Sequence, residues 1–337
     1  MEACLKDASR CGRPTVVFDG RDFEISRAVR LSSGMTVLVD NCTIRQSDCA
    51  FDNVFRSANV RLDKENPSFY SGEIEKISHV RLLGRGNAVI EGCRVNRRGF
   101  HTVLKEEQEM TGDFWGFLTY QALFVCTDDL EISGLSFVKT RCWAITLDLC
   151  THFHIHDLEI NSEVKNGDGV HLLSGCCYGV VERLNGVTSD DMVAIESGFQ
   201  LKELPCKNYL APFTPTKDEY AKRTVRELDC HDIIIRNISS GGMMHNVVLL
   251  ALNDTCIYDI QIEDIADTCR QEPYVATVFA YTGIYGGPGT LRDISIQRVY
   301  SLADSAFSSN TTIKNLFLSE LATGREGGKL YETYPER

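Results

Sequence analysis

The sequence predicts an all-β fold: a single-stranded right-handed parallel β-helix with a short N-terminal capping helix, running as one domain over residues 1–337. Three observations point there. A short apolar-alternating motif recurs along the chain at near-constant spacing. A second, equally short strand recurs between its copies, and turns rich in Gly, Asn and Asp join the two. Stacked coils explain this pattern, because no single coil can bury its apolar face and each neighbour completes the core.

The elements follow in chain order. Residues 2–10, with Ala3, Leu5 and Ala8 among polar neighbours, read as an amphipathic helix covering the open first coil, and residues 1–60 as that cap plus the first coils. The first motif appears as Leu130-Glu131-Ile132 with Leu135, then over 155–160, 180–184, 233–238, 257–262, 291–296 and 313–318. The second strand appears as Ala144-Ile145-Thr146-Leu147, Gly169-Val170-His171-Leu172, Met192-Val193-Ala194-Ile195 and Asn246-Val247-Val248-Leu249, and Ala276-Thr277-Val278-Phe279 extends the series. Val170 and Val193 are 23 residues apart, and Ile234 and Tyr258 are 24 apart. A β-sandwich also has many short strands but needs no constant period, and the leucine-rich-repeat signature is absent.

Two segments break the period, about 96–120 and 199–229, as loops walling a binding site would. Trp115 and Phe117 in the first are candidates to stack on a sugar, with core or loop packing as the alternative. From about residue 323 the chain reads as a polar tail.

Composition narrows the partners. The chain is 43% hydrophobic and 24% charged, with a net charge of -12, which argues against a nucleic-acid partner. A strongly anionic substrate would need a local basic pocket. There is no apolar run of membrane-spanning length, so no membrane partner is expected. The fourteen cysteines do not read as a disulfide framework. Cys126, Cys142, Cys150 and Cys256 sit singly in apolar runs, and Cys176-Cys177 lacks a metal or redox spacing. Free thiols and a start without a signal-peptide pattern lead us to expect a cytoplasmic protein, or a secreted one whose leader has been removed.

The chemistry gathers at one column. Asp168, Asp191 and His245 each precede their apolar strand by the same offset, to Val170, Val193 and Val247. Coils stack about 4.8 Å apart, so these residues should face one another, with Asp190 beside Asp191. Three carboxylates that close repel, and at least one should hold its proton into an unusual range. A protonated acid beside an ionised base is what glycosidic cleavage requires; the inverting form leaves roughly 6.5–9.5 Å between the working carboxyls for a water. A lone Asp at a coil corner is more often a turn residue, and a lone His a surface one; the shared register carries the site reading.

These residues also carry a resemblance. Asn166-Gly167-Asp168-Gly169-Val170 resembles the N-T-D-G-I motif of the polygalacturonase family, family 28 of the glycoside hydrolases. The stretch from Asp190-Asp191-Met192 through Glu196-Ser197-Gly198 resembles that family's D-D-C-I-A-I-K-S-G, and Gly84–Gly92 its G-x-G-x-I-D-G segment. The stretch from Leu130 through Trp143 also follows the family. The likeness covers about residues 80–200 well and later coils loosely. It implies an inverting glycosidase needing no cofactor, with Asp190 as general acid and Asp168 and Asp191 holding and activating water. His245, Glu196, Asn166 and His171 would be the substrate-binding set, His245 standing for the family's G-H-G-I histidine.

Departures from the family bear on the substrate. The R-I-K motif that holds a galacturonate carboxylate should fall near residues 276–279, where Thr277 and Phe279 replace both cations. Glu196 replaces the lysine of I-A-I-K-S-G. Arg223, Arg226 or Arg270 are the loop cations left to substitute. The expected partner is therefore an oligosaccharide, pectin-derived or related, with a neutral or differently decorated sugar at the cleavage point. Two other classes compete: a non-catalytic carbohydrate-binding solenoid, and a polysaccharide lyase or epimerase, for which the aspartates would hold calcium.

Overall fold

The computed structural model describes residues 14–48, 50, 52–62, 73–93, 116–162, 164, 166–198, 217–270, 274–284 and 286–333. It is the parallel β-helix the repeat predicts. Each coil gives one long strand to a 14-stranded sheet, here sheet A, and one short strand to a 10-stranded sheet B. Through the site the chain runs Thr151–Ser162 in A, Val170–Leu172 in B, Cys177–Thr188 in A, Val193–Ser197 in B, Cys230–Gly242 in A and Val247–Ala251 in B. The strands pair in parallel, Val170 with Val193 and Val193 with Val247.

Alternation sets what lies inside. Ile132, Ile155, Val181, Ile235, Ile262 and Ile296 form one register column of sheet A, all fully buried. Burial of one such side chain contributes about 1.5–3 kcal/mol. Two residues further on, Gly134, Asp157, Arg183, Asn237, Asp264 and Arg298 all have positive φ, between 53° and 70°. The strands bend at this column, so sheet A wraps two sides of the solenoid. Gly, Asn and Asp tolerate the left-handed region, whereas Arg does so at a cost. The two arginines are held there by forks to the preceding coil, Arg183 Nε to Asp157 Oδ1 at 2.7 Å and Arg298 Nε to Asp264 Oδ1 at 2.6 Å.

Several expectations meet the structure here. The capping helix over 2–10 and Trp115 lie outside the described residues. Phe117 is fully buried in a satellite cluster with Tyr120, Trp143 and Leu250, so it packs rather than stacks on a ligand. The described part of the second insertion holds a short helix, Lys217–Ala221, and a 3-10 turn, Val225–Leu228. The polar tail is corrected: Lys329–Thr333 is a strand of sheet B, pairing Phe307 with Tyr331, whose rings stack at 5.3 Å. Composition hid it because the alternation is confined to Leu330 and Tyr331 among polar neighbours.

The ten described cysteines are free thiols. Four of them do more than fill space, Cys42 through a 3.2 Å bond from Sγ to Phe18 O. The Sγ–H groups of Cys150, Cys176 and Cys230 donate to the carbonyls of Phe124 (3.3 Å), Leu147 (3.5 Å) and Leu173 (3.4 Å), one coil below in each case. Burial pushes the Cys230 thiol up to about 12, so it stays a neutral donor. No helix among the described residues is long and apolar enough to cross a membrane.

Candidate active site

The site lies where the chain turns into sheet B. The register continues backward from Val170, Val193 and Val247, so Asp168, Asp191 and His245 share one column, with Trp143 ahead of them. Backbone bonds tie the corner together: Ala144 N donates to Asp168 O, Gly169 N to Asp191 O and Met192 N to His245 O, at 2.9, 2.9 and 3.0 Å. Gly169 permits this closeness, since a Cβ there would stand 2.5 Å from Met192 O. Asn166 takes the left-handed conformation, φ 54°, that turns the chain toward Asp168.

Asp168 and His245 are buried, while Asp190 and Asp191 are partly open. The Asp191 carboxylate accepts the His245 backbone N–H at 3.0 Å. The Asp168 carboxylate faces His171 Nδ1 at 2.7 Å. His171 Nε2 lies 3.1 Å from Glu196 Oε2, close enough for charge pairing but at an angle that leaves both atoms outside a hydrogen bond. The Trp143 ring stacks on His171 at 3.4 Å, and Tyr120 stacks on Trp143 at 4.7 Å.

The electrostatics follow from burial and, among the described residues, few cations. Among the described residues, the only ion pair made by the three aspartates joins Asp168 to His171. Burial, then the charges of Asp168 and Glu196, push Asp190 up to about 8. Burial and the charges of Asp190 and Asp168 raise Asp191 well above its usual range. Burial also raises Asp168, against the opposing pull of His171. For His171 burial works against the charged form, but Glu196 and Asp168 outweigh it and raise the ring to about 9. The corner therefore favours keeping a proton among its clustered carboxyl groups toward neutral pH, which suits acid–base chemistry on one bond.

Downstream of the aspartates the wall is aromatic. The His245 ring stacks on Phe279 at 4.9 Å and meets Tyr274 edge-on at 4.8 Å, while Phe279 stacks on Tyr281 at 5.1 Å. Thr277 is fully buried and donates to Asp267 Oδ2 at 2.7 Å. Of the substitute arginines, Arg223 is engaged by Glu219 at 3.2 Å, Arg226 lines a corner cleft of about 430 Å³ with Lys76, and the Arg270 side chain lies outside the described residues. Wider concavities, lined by Asp259 and Phe317 and by Asp157 and Arg183, lie at the bends of sheet A, away from the aspartates.

Sequence reasoning missed the stacking role of Trp143, the aromatic pair Tyr274 and Tyr281, and a buried bond from Tyr220 Oη to Asp148 Oδ1 at 2.6 Å. Asp148 was findable: Leu147 pairs with Leu172 and Leu172 with Ile195, so Asp148 stands in register with Glu196. Tyr220 had no such signal, because it arrives from the second insertion.

No family model and no curated protein matches the sequence. The fold does match solved structures. An exopolygalacturonase from Thermotoga maritima aligns with a TM-score of 0.56 and 11% identity, over 96% of this chain and 83% of that one. An endo-xylogalacturonan hydrolase from Aspergillus tubingensis aligns with 0.57 and 14%, over 97% and 90%. A 1,3-α-1,4-β-D-galactose-4-sulfate-3,6-anhydro-D-galactose-2-sulfate 4 galactohydrolase aligns with 0.61 and 9%, over the whole of this chain and 86% of that one. The chain thus has the parallel β-helix fold that these glycoside hydrolases share.

Proposed function

We propose that this protein is an inverting glycoside hydrolase acting on an oligosaccharide, with a sugar at the cleavage point that carries no carboxylate for the protein to hold. The observation carrying the reading is the cation-poor aspartate cluster. Asp190 keeps a proton into the neutral range beside two further carboxylates, as a general acid beside a water-activating base must. In this reading Asp190 protonates the leaving oxygen, Asp168 deprotonates the attacking water, and Asp191 helps to position it. The aromatic wall of His245, Phe279 and Tyr281 stands where family 28 enzymes are expected to place cations, and suits the apolar face of a neutral sugar. The structural neighbours act on galacturonans or sulfated galactan by their names, which supports a glycan substrate of related origin, pectin-derived or otherwise. Short oligosaccharides fit a cytoplasmic address.

The test is a hydrolysis screen over neutral and pectic oligosaccharides, comparing wild type with Asp190→Asn, with product anomers followed by NMR. The proposal expects product of inverted configuration from the wild type and a loss of about 10²–10⁴-fold in the variant. Equal product release by both removes Asp190 from the acid role. Binding without turnover supports a carbohydrate-binding solenoid, and ultraviolet-absorbing unsaturated products a lyase.

A further inference from the structure

The buried pair His171–Glu196 lies outside the cleavage chemistry just described, yet it touches the site. We infer that His171 is a positioning residue: its imidazolium, wedged between Asp168 and Glu196, keeps Asp168 the ionised member of the aspartate cluster. This rests on the hydrolase reading for its consequence but not for its geometry.

The geometry is specific. His171 follows Asp168 by three residues and its ring returns to it, Nδ1 to Oδ2 at 2.7 Å. Its other nitrogen faces Glu196 Oε2 at 3.1 Å from the next coil, and both atoms are sealed from water. A neutral imidazole can donate from only one nitrogen. Two ionised carboxylates, one hydrogen-bonded to Nδ1 and one 3.1 Å from Nε2 without a hydrogen bond, are both countered by positive charge only when the ring is doubly protonated. The Trp143 face at 3.4 Å holds the ring plane and favours a cation above it.

Among the described residues, the charges that act most on Asp168 and His171 include no other cation. On the same coil corner stand Asp190 and Asp191, both acidic. The preceding coil offers Trp143 and Thr146, which are neutral, and Asp148, which accepts from Tyr220. Thus Glu196, found where the family carries lysine, supplies no cation itself. It maintains one on His171, and that cation is aimed at Asp168 rather than at the substrate. Among the described residues Asp190 has no ion-pair partner and retains its proton, so one imidazolium makes the division between Asp168 and Asp190.

The test has two arms. Side-chain ¹⁵N NMR of the histidines needs no substrate. His171 should show two protonated nitrogens at pH 7.5 in the wild type and only one in the isosteric Glu196→Gln. A neutral His171 in the wild type at pH 7.5, or no change on Glu196→Gln, overturns the inference. The second arm is the pH profile of hydrolysis. His171→Gln should lower kcat about 10- to 100-fold with KM within about twofold, and move the acidic limb upward by about one pH unit. An unshifted limb overturns it. If no substrate is turned over, the hydrolase reading fails while the NMR arm still decides the charge state of His171.

Discussion

The two sheets use the same kinds of residue on the same repeat, and treat charge in opposite ways. On the outer face of sheet A many of the described carboxylates meet a basic side chain from a neighbouring coil. Against the cost of burial, His154, Arg236 and Arg183 bring Glu182 down to about 2, and Thr151, His152 and Lys76 do the same for Asp128. Arg183 and then His156 hold Asp157 well below the carboxylate range. At the entrance to sheet B, Asp168, Asp190 and Asp191 are raised instead, and among the described residues their only ion pair is that of Asp168 with His171. Coil stacking gives both faces the same spacing, so geometry alone does not distinguish a structural acid from a chemical one. Whether a neutralising partner occupies the adjacent coil does.

This contrast can be broken from either side, and the largest effect belongs to sheet B. Beyond its loss of activity, Asp190→Asn should stabilise the fold. The folded-state value near 8 lies above the unfolded 3.8, so the folded protein prefers the proton. The penalty is absent below about pH 3.8 and grows as pH rises toward 8. The variant should therefore exceed the wild type by on the order of a few kcal/mol at pH 8, and match it at pH 4, in urea melts at the two pH values. An equal difference at both would place the effect in packing.

The next effect is smaller and comes from importing the logic of sheet A into sheet B. Phe279→Lys puts a cation on the wall beside His245. It should improve kcat/KM for a uronate-bearing oligosaccharide relative to its neutral counterpart by about tenfold, measured by paired kinetics. No change in that ratio would mean the wall does not face the sugar.

The smallest effect is on sheet A. Glu182→Gln removes a carboxylate shared by Arg183, Arg236 and His154, all three substantially open to water. It should cost about 1 kcal/mol at pH 7 and leave hydrolysis unchanged. Because the folded Glu182 value lies near 2, below its ordinary 4.5, that stability is present above about pH 4.5 and disappears as pH falls through 2. Melts of both proteins across pH 2–7 would show the curves converging at the acid end.

Much of this architecture was legible because a solenoid writes its core periodically. The spacing of Val170 and Val193 predicted a pairing that the register shows, and the same arithmetic brought Asp168, Asp191 and His245 into one column. The strand at Lys329–Thr333 was not legible, since an end strand buries little and carries almost no apolar signal. Within the site, sequence showed which residues stand near one another but not how they turn. His171 and Glu196 were expected to meet substrate; their contacts run to Asp168 and to each other, a matter of side-chain direction and burial. Tyr220 reaches Asp148 from an insertion with no periodic signal.

The central claim is that Asp190 holds its proton at neutral pH while sheet A acids of the same chain do not. The direct measurement is a ¹³C carboxyl titration of labelled Asp and Glu side chains, with Asp190 assigned by Asp190→Asn and Glu182 by Glu182→Gln. The account predicts an inflection near pH 8 for Asp190 and near 2 for Glu182. An Asp190 inflection in the ordinary range near 4, alongside that of an unpaired surface aspartate, would contradict it.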